Sequence, residues 1–212
     1  MKRLLWLVPA LLPALLPALL AAPLTAQQIH RAEQDLEIRY WLAEPSTHQF
    51  LISHDFTVTR EGQQSVHSFV RAGSTVTPDS KMLDLDTGEA LHTHLVRGEE
   101  VNALGYYPAP TDPKSVVVQG DLPKAIGKGE SVRIRVQETY TDPVGYKMDG
   151  SELVWTRTLG RPINSVTLPD GWMLTLVNTP AAIGLDPQGR VTMRFTNIRN
   201  GNLDVTIRAR KR

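Results

Sequence analysis

Residues 130–140 constrain the fold of this chain more than any other stretch. There Val132, Ile134 and Val136 alternate with Arg133, Arg135 and Gln137. Successive side chains of a strand point to opposite faces, so the segment reads as a β-strand with one apolar and one charged face. The pattern returns near the end, where Leu203, Val205, Ile207 and Ala209 alternate with Asp204, Thr206, Arg208 and Arg210. Such strands need their apolar face covered, and a second sheet is the usual cover.

Further strands follow by the same rule. Leu36, Ile38, Tyr40 and Leu42 alternate, as do Phe50, Ile52, Phe56 and Val58, with His54 on the apolar face of the second set. Residues 60–64 read as a hairpin loop with a returning strand at 66–71. Asp86-Thr87-Gly88-Glu89 reads as a hairpin turn between 82–85 and 90–96, and Pro169-Asp170-Gly171 as another between 165–168 and 172–177. Asp186-Pro187-Gln188-Gly189 leads into a strand at 191–196, and Asn200-Gly201 turns the chain into the last strand. Residues 106–113, with three prolines, form a loop, and 123–129 connect into the strand at 130–140. No segment holds a helical period over ten residues; 30–40 comes nearest and reads better as strand. Fifteen glycines and fifteen prolines suit this density of turns. The expectation is an all-β fold, an antiparallel β-sandwich, immunoglobulin-like or larger. One domain would span 27–212, with two modules meeting near 120–129 as the alternative.

The first residues carry a different signal. Lys2 and Arg3 precede an apolar run at 4–20, and small residues follow up to Ala26. That order is a secretory signal peptide, 1–26. Pro9, Pro13 and Pro17 recur a helical turn apart and argue against a retained membrane anchor. The chain has no cysteine, hence no disulfide, no thiol chemistry and no lipid-attachment cysteine, and it has no Asn-x-Ser/Thr sequon. These features point to a bacterial periplasmic or secreted protein, with no transmembrane segment in the mature chain.

The net charge of +1 conceals an asymmetry. Residues 27–100 hold six Lys/Arg and twelve Asp/Glu, whereas 101–212 hold fifteen and ten. The basic residues sit at alternating, outward strand positions without interleaved aromatics, so a nucleic-acid surface is not expected.

Candidate chemistry is sparse. His92 and His94 share a strand face, as do Asp84 and Asp86, and a hairpin between them could oppose two imidazoles to two carboxylates as a site for one divalent metal ion. The bland alternative is a solvated hairpin with an acidic turn. His54 reads as a hydrogen-bonded core histidine, with Asp55 pointing the other way. There is no Gly-x-Ser-x-Gly elbow, no His-Glu-x-x-His and no phosphate-binding glycine loop, so no catalytic residue is assigned. Tyr140, Trp155 and Trp172 read as core. Tyr106 and Tyr107, in the proline-rich loop, are the expected ligand-contact pair.

Asp86-Thr87-Gly88-Glu89, Leu122-Pro123, Lys128-Gly129-Glu130, Thr139-Tyr140-Thr141-Asp142 and Leu168-Pro169-Asp170-Gly171-Trp172 form a set of turn and strand motifs. Through them the stretch from about 84 to 170 resembles the β-sandwich domain of exported bacterial proteins that often precedes a transglutaminase-like or M1-metallopeptidase catalytic domain. It implies a non-catalytic role, with the catalytic domain absent, and transfers no functional residue. The reading is a secreted, non-catalytic binding or assembly module of the cell envelope, with protein or envelope polysaccharide as partner and no cofactor. The alternatives are a metal-dependent hydrolase using Asp84, Asp86, His92 and His94, and a self-assembling structural subunit.

Overall fold

The computed structural model describes residues 34–198 and 201–212. The expected leader and Asn200 of the expected final turn lie outside the described residues. In chain order the first elements are β1 (Gln34–Leu42), β2 (Gln49–Val58), β3 (Ser65–Phe69), β4 (Thr75–Val76), β5 (Lys81–Asp84) and β6 (His92–Arg97). A short helix α1 (Gly98–Ala103) leads to β7 (Val116–Asp121), β8 (Val132–Thr141), β9 (Tyr146–Asp149) and β10 (Glu152–Leu159). Then come β11 (Ile163–Thr167), β12 (Trp172–Val177), β13 (Ala182–Leu185), β14 (Val191–Thr196) and β15 (Leu203–Lys211).

The strands form one large sheet and two smaller ones. The large sheet runs β13-β14-β11-β1-β2-β8-β4, with β5 also paired to β8. A four-stranded sheet runs β12-β15-β10-β9, and a three-stranded sheet β3-β7-β6. The all-β expectation holds, with one departure from antiparallel pairing among the described residues: β1 and β11 run parallel. β11 arrives from β10 in the four-stranded sheet, and such a crossover permits parallel entry.

The alternating residues of 130–140 explain the layering. β2 and β8 pair over ten residues, from Gln49↔Thr141 to Val58↔Val132. Opposed residues of an antiparallel pair share a face, so Phe50, Ile52 and Tyr140 lie on the same face as Phe56, Val58, Ile134 and Val136. Phe50, Ile52 and Tyr140 join a core with Trp155, Leu153, Val205 and Ile207 of the four-stranded sheet. Val58, Ile134 and Val136 join a second core with Val66 and Val118 of the three-stranded sheet and with Met82. One face of the large sheet therefore has two separate covers. Tyr140, Trp155 and Trp172 are buried core residues, as their strand positions imply.

The turns at 60–64, 86–89 and 169–171 reverse the chain, but none closes the hairpin ladder expected from sequence. β3 pairs with β7 rather than β2. β5 pairs with β8 while β6 pairs with β7, joined near the turn only by the Leu83↔Ala90 bridge. β11 pairs with β1 and β14 while β12 pairs with β15. In each case the chain steps from the large sheet to a cover, because an apolar strand face gains more by covering than by extending its own sheet. The turn at 186–189 does close a hairpin, between β13 and β14.

The helix α1 was not legible, being six residues long. Glu100 Oε1 accepts the Arg97 backbone N–H at 2.7 Å and starts it. Gly98 is required there, since a Cβ would lie 2.1 Å from the Asp112 carbonyl oxygen. Val101 packs on Val96 and Val117, on the outer face of the three-stranded sheet.

Phe50 is fully buried, with ring centroids 6.1–6.3 Å from Tyr40, Tyr140, Tyr146 and Trp155. Phe50→Ala is expected to lower stability in urea unfolding by about 3–5 kcal/mol; a loss under 1 kcal/mol would contradict this packing.

Candidate functional site

Where the two covers leave the large sheet bare, a cleft of about 540 Å³ opens. Ile52, His54 and Glu138 are on its floor, all on the face just described. Ser68 and Phe69 of β3 line one side, and Arg157 of β10 lines the other. The cleft thus follows from β2 and β8 being longer than either cover is wide.

Arg157 shares its strand parity with Leu153, Trp155 and Leu159, so it points inward. Its side chain is 8% exposed. The guanidinium carbon lies 5.2 Å from the Phe50 ring centroid, 5.5 Å from Tyr40 and 5.6 Å from Tyr140. Faces of aromatic rings attract a cation, which offsets part of the lost hydration. Asp142 Oδ2 is 3.7 Å from Nη1, and Nη1 makes no hydrogen bond among the described residues.

Glu138 is 2% exposed. Ser68 Oγ donates to its Oε2 at 3.0 Å, and Oε1 has no hydrogen-bond partner among the described residues. Burial raises its pKa to about 7, and the Ser68 and Tyr140 hydroxyls offset only part of that. His54 stacks on Phe56 with centroids 5.7 Å apart, and its Nδ1 has no hydrogen-bond partner among the described residues. Burial and the nearby Arg161 charge hold its pKa at about 4, so it is a neutral imidazole. Asp55 points to the opposite face, where Arg135 donates to it at 2.7 and 2.8 Å.

The loop pair lies at the rim. Tyr107 is 39% exposed, its ring against Phe69 at 5.2 Å and its hydroxyl 3.1 Å from His67 Nδ1. Burial of the remainder pushes the Tyr107 hydroxyl up to about 12. Tyr106 is half-buried: Arg60 lies over its ring and donates to its carbonyl, and its hydroxyl accepts the Gln64 N–H at 3.2 Å. Both tyrosines are therefore held in place before any ligand arrives.

The four residues expected to share a metal site do not all meet. Because β5 and β6 belong to different sheets, Asp84 and Asp86 do not oppose the imidazoles. Asp84 is buried and its Oδ1 accepts the backbone N–H groups of Asp86 and Thr87 at 2.8 and 3.3 Å. Asp86 accepts the Arg133 backbone N–H at 3.1 Å. Both hold the turn. His92 and His94 do share a face, and across the β6–β7 ladder they meet Asp121. Asp121 was missed in sequence. Its alternation with Gln119 placed it on a strand face, but only the ladder shows whose face it shares.

No protein-family model matches the chain, and no curated protein matches it. Among solved structures it is similar to an M1 zinc metallopeptidase from Deinococcus radiodurans, at 13% identity and a TM-score of 0.46, over 84% of this chain and 42% of that one. It is also similar to an aminopeptidase N family protein from Idiomarina loihiensis, at 10% identity and a TM-score of 0.43, over 82% and 29%. The chain spans less than half the length of either. Similarity at this level assigns neither family nor activity.

Glu138 makes the fold pH-sensitive. Its folded pKa of about 7 lies above the usual 4.5, so the folded state favours the protonated acid. That contribution is complete below about pH 4.5 and is lost as pH rises through 7, amounting to about 3 kcal/mol. Glu138→Gln, which cannot ionise, is expected to match the parent near pH 4.5 and exceed its stability at pH 8 by up to about 3 kcal/mol. Urea unfolding at both pH values measures this, and parallel profiles would contradict it.

Proposed function

We propose that the protein is an exported, non-catalytic binding module of the bacterial envelope whose cleft takes an acidic glycan. The observation that carries this reading is a buried carboxylate with an unpartnered oxygen, Glu138 Oε1, in a cleft that the buried Arg157 also lines. Buried polar atoms are normally partnered, and a ligand can supply the partners. The cleft volume lies in the range of small-ligand sites. Arg60, Arg71, Arg157 and Arg161 line it, against Glu138 as the one carboxylate among the described lining residues. That balance favours a ligand carrying a carboxylate, with hydroxyl groups to donate to Glu138. Tyr106 and Tyr107 offer rings at the rim. Glycoside hydrolysis ordinarily uses two carboxylates, and the described lining has one, so the reading is binding rather than cleavage. Export rests on the leader at 1–26.

Calorimetric titration with uronic-acid oligosaccharides, matched neutral oligosaccharides and an acidic peptide tests the reading. Saturable binding of the uronates is expected, weakened at least tenfold by Arg157→Gln and by the rim substitution Arg71→Ala. Binding of the peptide alone would transfer the site to a protein partner, and uronate binding indifferent to both substitutions would overturn it.

One observation favours self-assembly as a second reading. β13 lies at the edge of the large sheet with Ile183 and Leu185 56% and 66% exposed, and an apolar edge is a template for pairing. Light scattering that reports a monomer across concentrations would remove it.

A further inference from the structure

The outer face of the three-stranded sheet carries two rows of polar residues across its strands. Ser65, Asp121 and His92 form one row, and His67, Gln119 and His94 the next. His92 Nδ1 lies 2.9 Å from Asp121 Oδ2, and His94 Nδ1 lies 3.7 Å from the same oxygen. Each of the three side chains offers a ligand atom within 4.8 Å of those of the other two. A tetrahedral ion with bonds of ~2.0–2.1 Å needs its ligand atoms about 3.3–3.4 Å apart. Side-chain adjustments of well under an ångström would bring the two pairs with Asp121 to that spacing. His94 Nδ1 is shielded from solvent and makes no hydrogen bond among the described residues. A nitrogen left without a partner beside a carboxylate is what a coordination site looks like before the ion enters.

The carboxylate is also oriented from behind. Gln119 Nε2 donates to Asp121 Oδ1 at 3.0 Å, which leaves Oδ2 toward the imidazoles. With its amide nitrogen so used, Gln119 presents Oε1 to His67 Nε2 at 3.1 Å, and His67 must donate there. His67 Nδ1 is then an acceptor, matched by the Tyr107 hydroxyl at 3.1 Å. Tyr107, His67 and Gln119 thus form a one-directional chain of donors ending on the carboxylate, and outer partners of this kind tune metal affinity.

We propose that His92, His94 and Asp121 bind one borderline divalent transition-metal ion, of the Zn(II) or Cu(II) class, with Gln119, His67 and Tyr107 as positioning residues. Two imidazoles with one carboxylate favour such ions over Mg²⁺ or Ca²⁺, which prefer all-oxygen sets. The His92 side chain is 77% exposed, so the ion would keep at least one exchangeable position. A groove of about 380 Å³ lined by Tyr106, Leu104 and Pro123 shares Gln119 and Asp121 with this cluster. The site uses other ligand atoms than the cleft, so either proposal can fail alone.

The test is titration of the untagged, chelator-stripped chain with Zn(II), by calorimetry and by competition with a chromophoric chelator. One ion per chain is expected, with no saturation by Mg²⁺. His94→Ala and Asp121→Asn should each weaken binding at least tenfold. Gln119→Leu and Tyr107→Phe, which spare all three ligands, should weaken it about tenfold. They should also shift the Cu(II) electron paramagnetic resonance parameters, a readout that a purely structural role would not move. Absence of Zn(II) binding below millimolar, or an affinity indifferent to His94→Ala, would overturn the proposal.

Discussion

The ten-residue ladder between β2 and β8 is the constraint on which the rest of the structure depends. Both strands present one apolar face, and that face is longer than a single small sheet can cover. The four-stranded sheet takes one end, around Phe50 and Tyr140, and the three-stranded sheet takes the other, around Val58 and Ile134. Each cover brings its own apolar face, so hydrophobic burial is satisfied twice on one shared surface. The uncovered strip between them is what remains when two finite layers share a longer one.

That strip collects the groups an apolar core cannot accept. Glu138 and His54 occupy positions on the ladder whose neighbours in either direction are core residues. Each is buried enough to favour its neutral form, the acid by a raised pKa and the imidazole by a lowered one. Three aromatic faces and Asp142 surround the Arg157 guanidinium. Buried polar groups held in this incompletely satisfied way lower stability relative to an apolar replacement. Such sites are where a binding function is expected to show. On the other side of the three-stranded sheet the polar rows bond to one another except at His94 Nδ1, and the Tyr106–Tyr107 loop ties the two faces together through His67.

Much of the extended structure was legible in the sequence, because a period of two is a local property. Val132, Ile134 and Val136 announced their strand, and so did the final run from Leu203. The proline-rich loop and the turn chemistry at 86–89, 169–171 and 186–189 were equally local. Of the candidate sites, Tyr106 and Tyr107 were found as loop aromatics, and His92 and His94 as a same-face pair. Glu138 and Arg157 were passed over: among alternating residues they look like two more solvent-facing charges on a sheet.

What the sequence determined by itself was the secondary structure class, the position of most turns and the sidedness of each strand, all set by neighbours a few residues apart. Which strands pair was decided only by the tertiary structure, because a turn dictates reversal but not the partner, and the partner is chosen by which apolar face remains uncovered. That choice separated Asp84 and Asp86 from the imidazoles and set Asp121, 29 residues beyond His92, opposite them instead. It also placed Glu138 and Arg157 in one cleft, since only the meeting of three sheets turns two strand positions into a site.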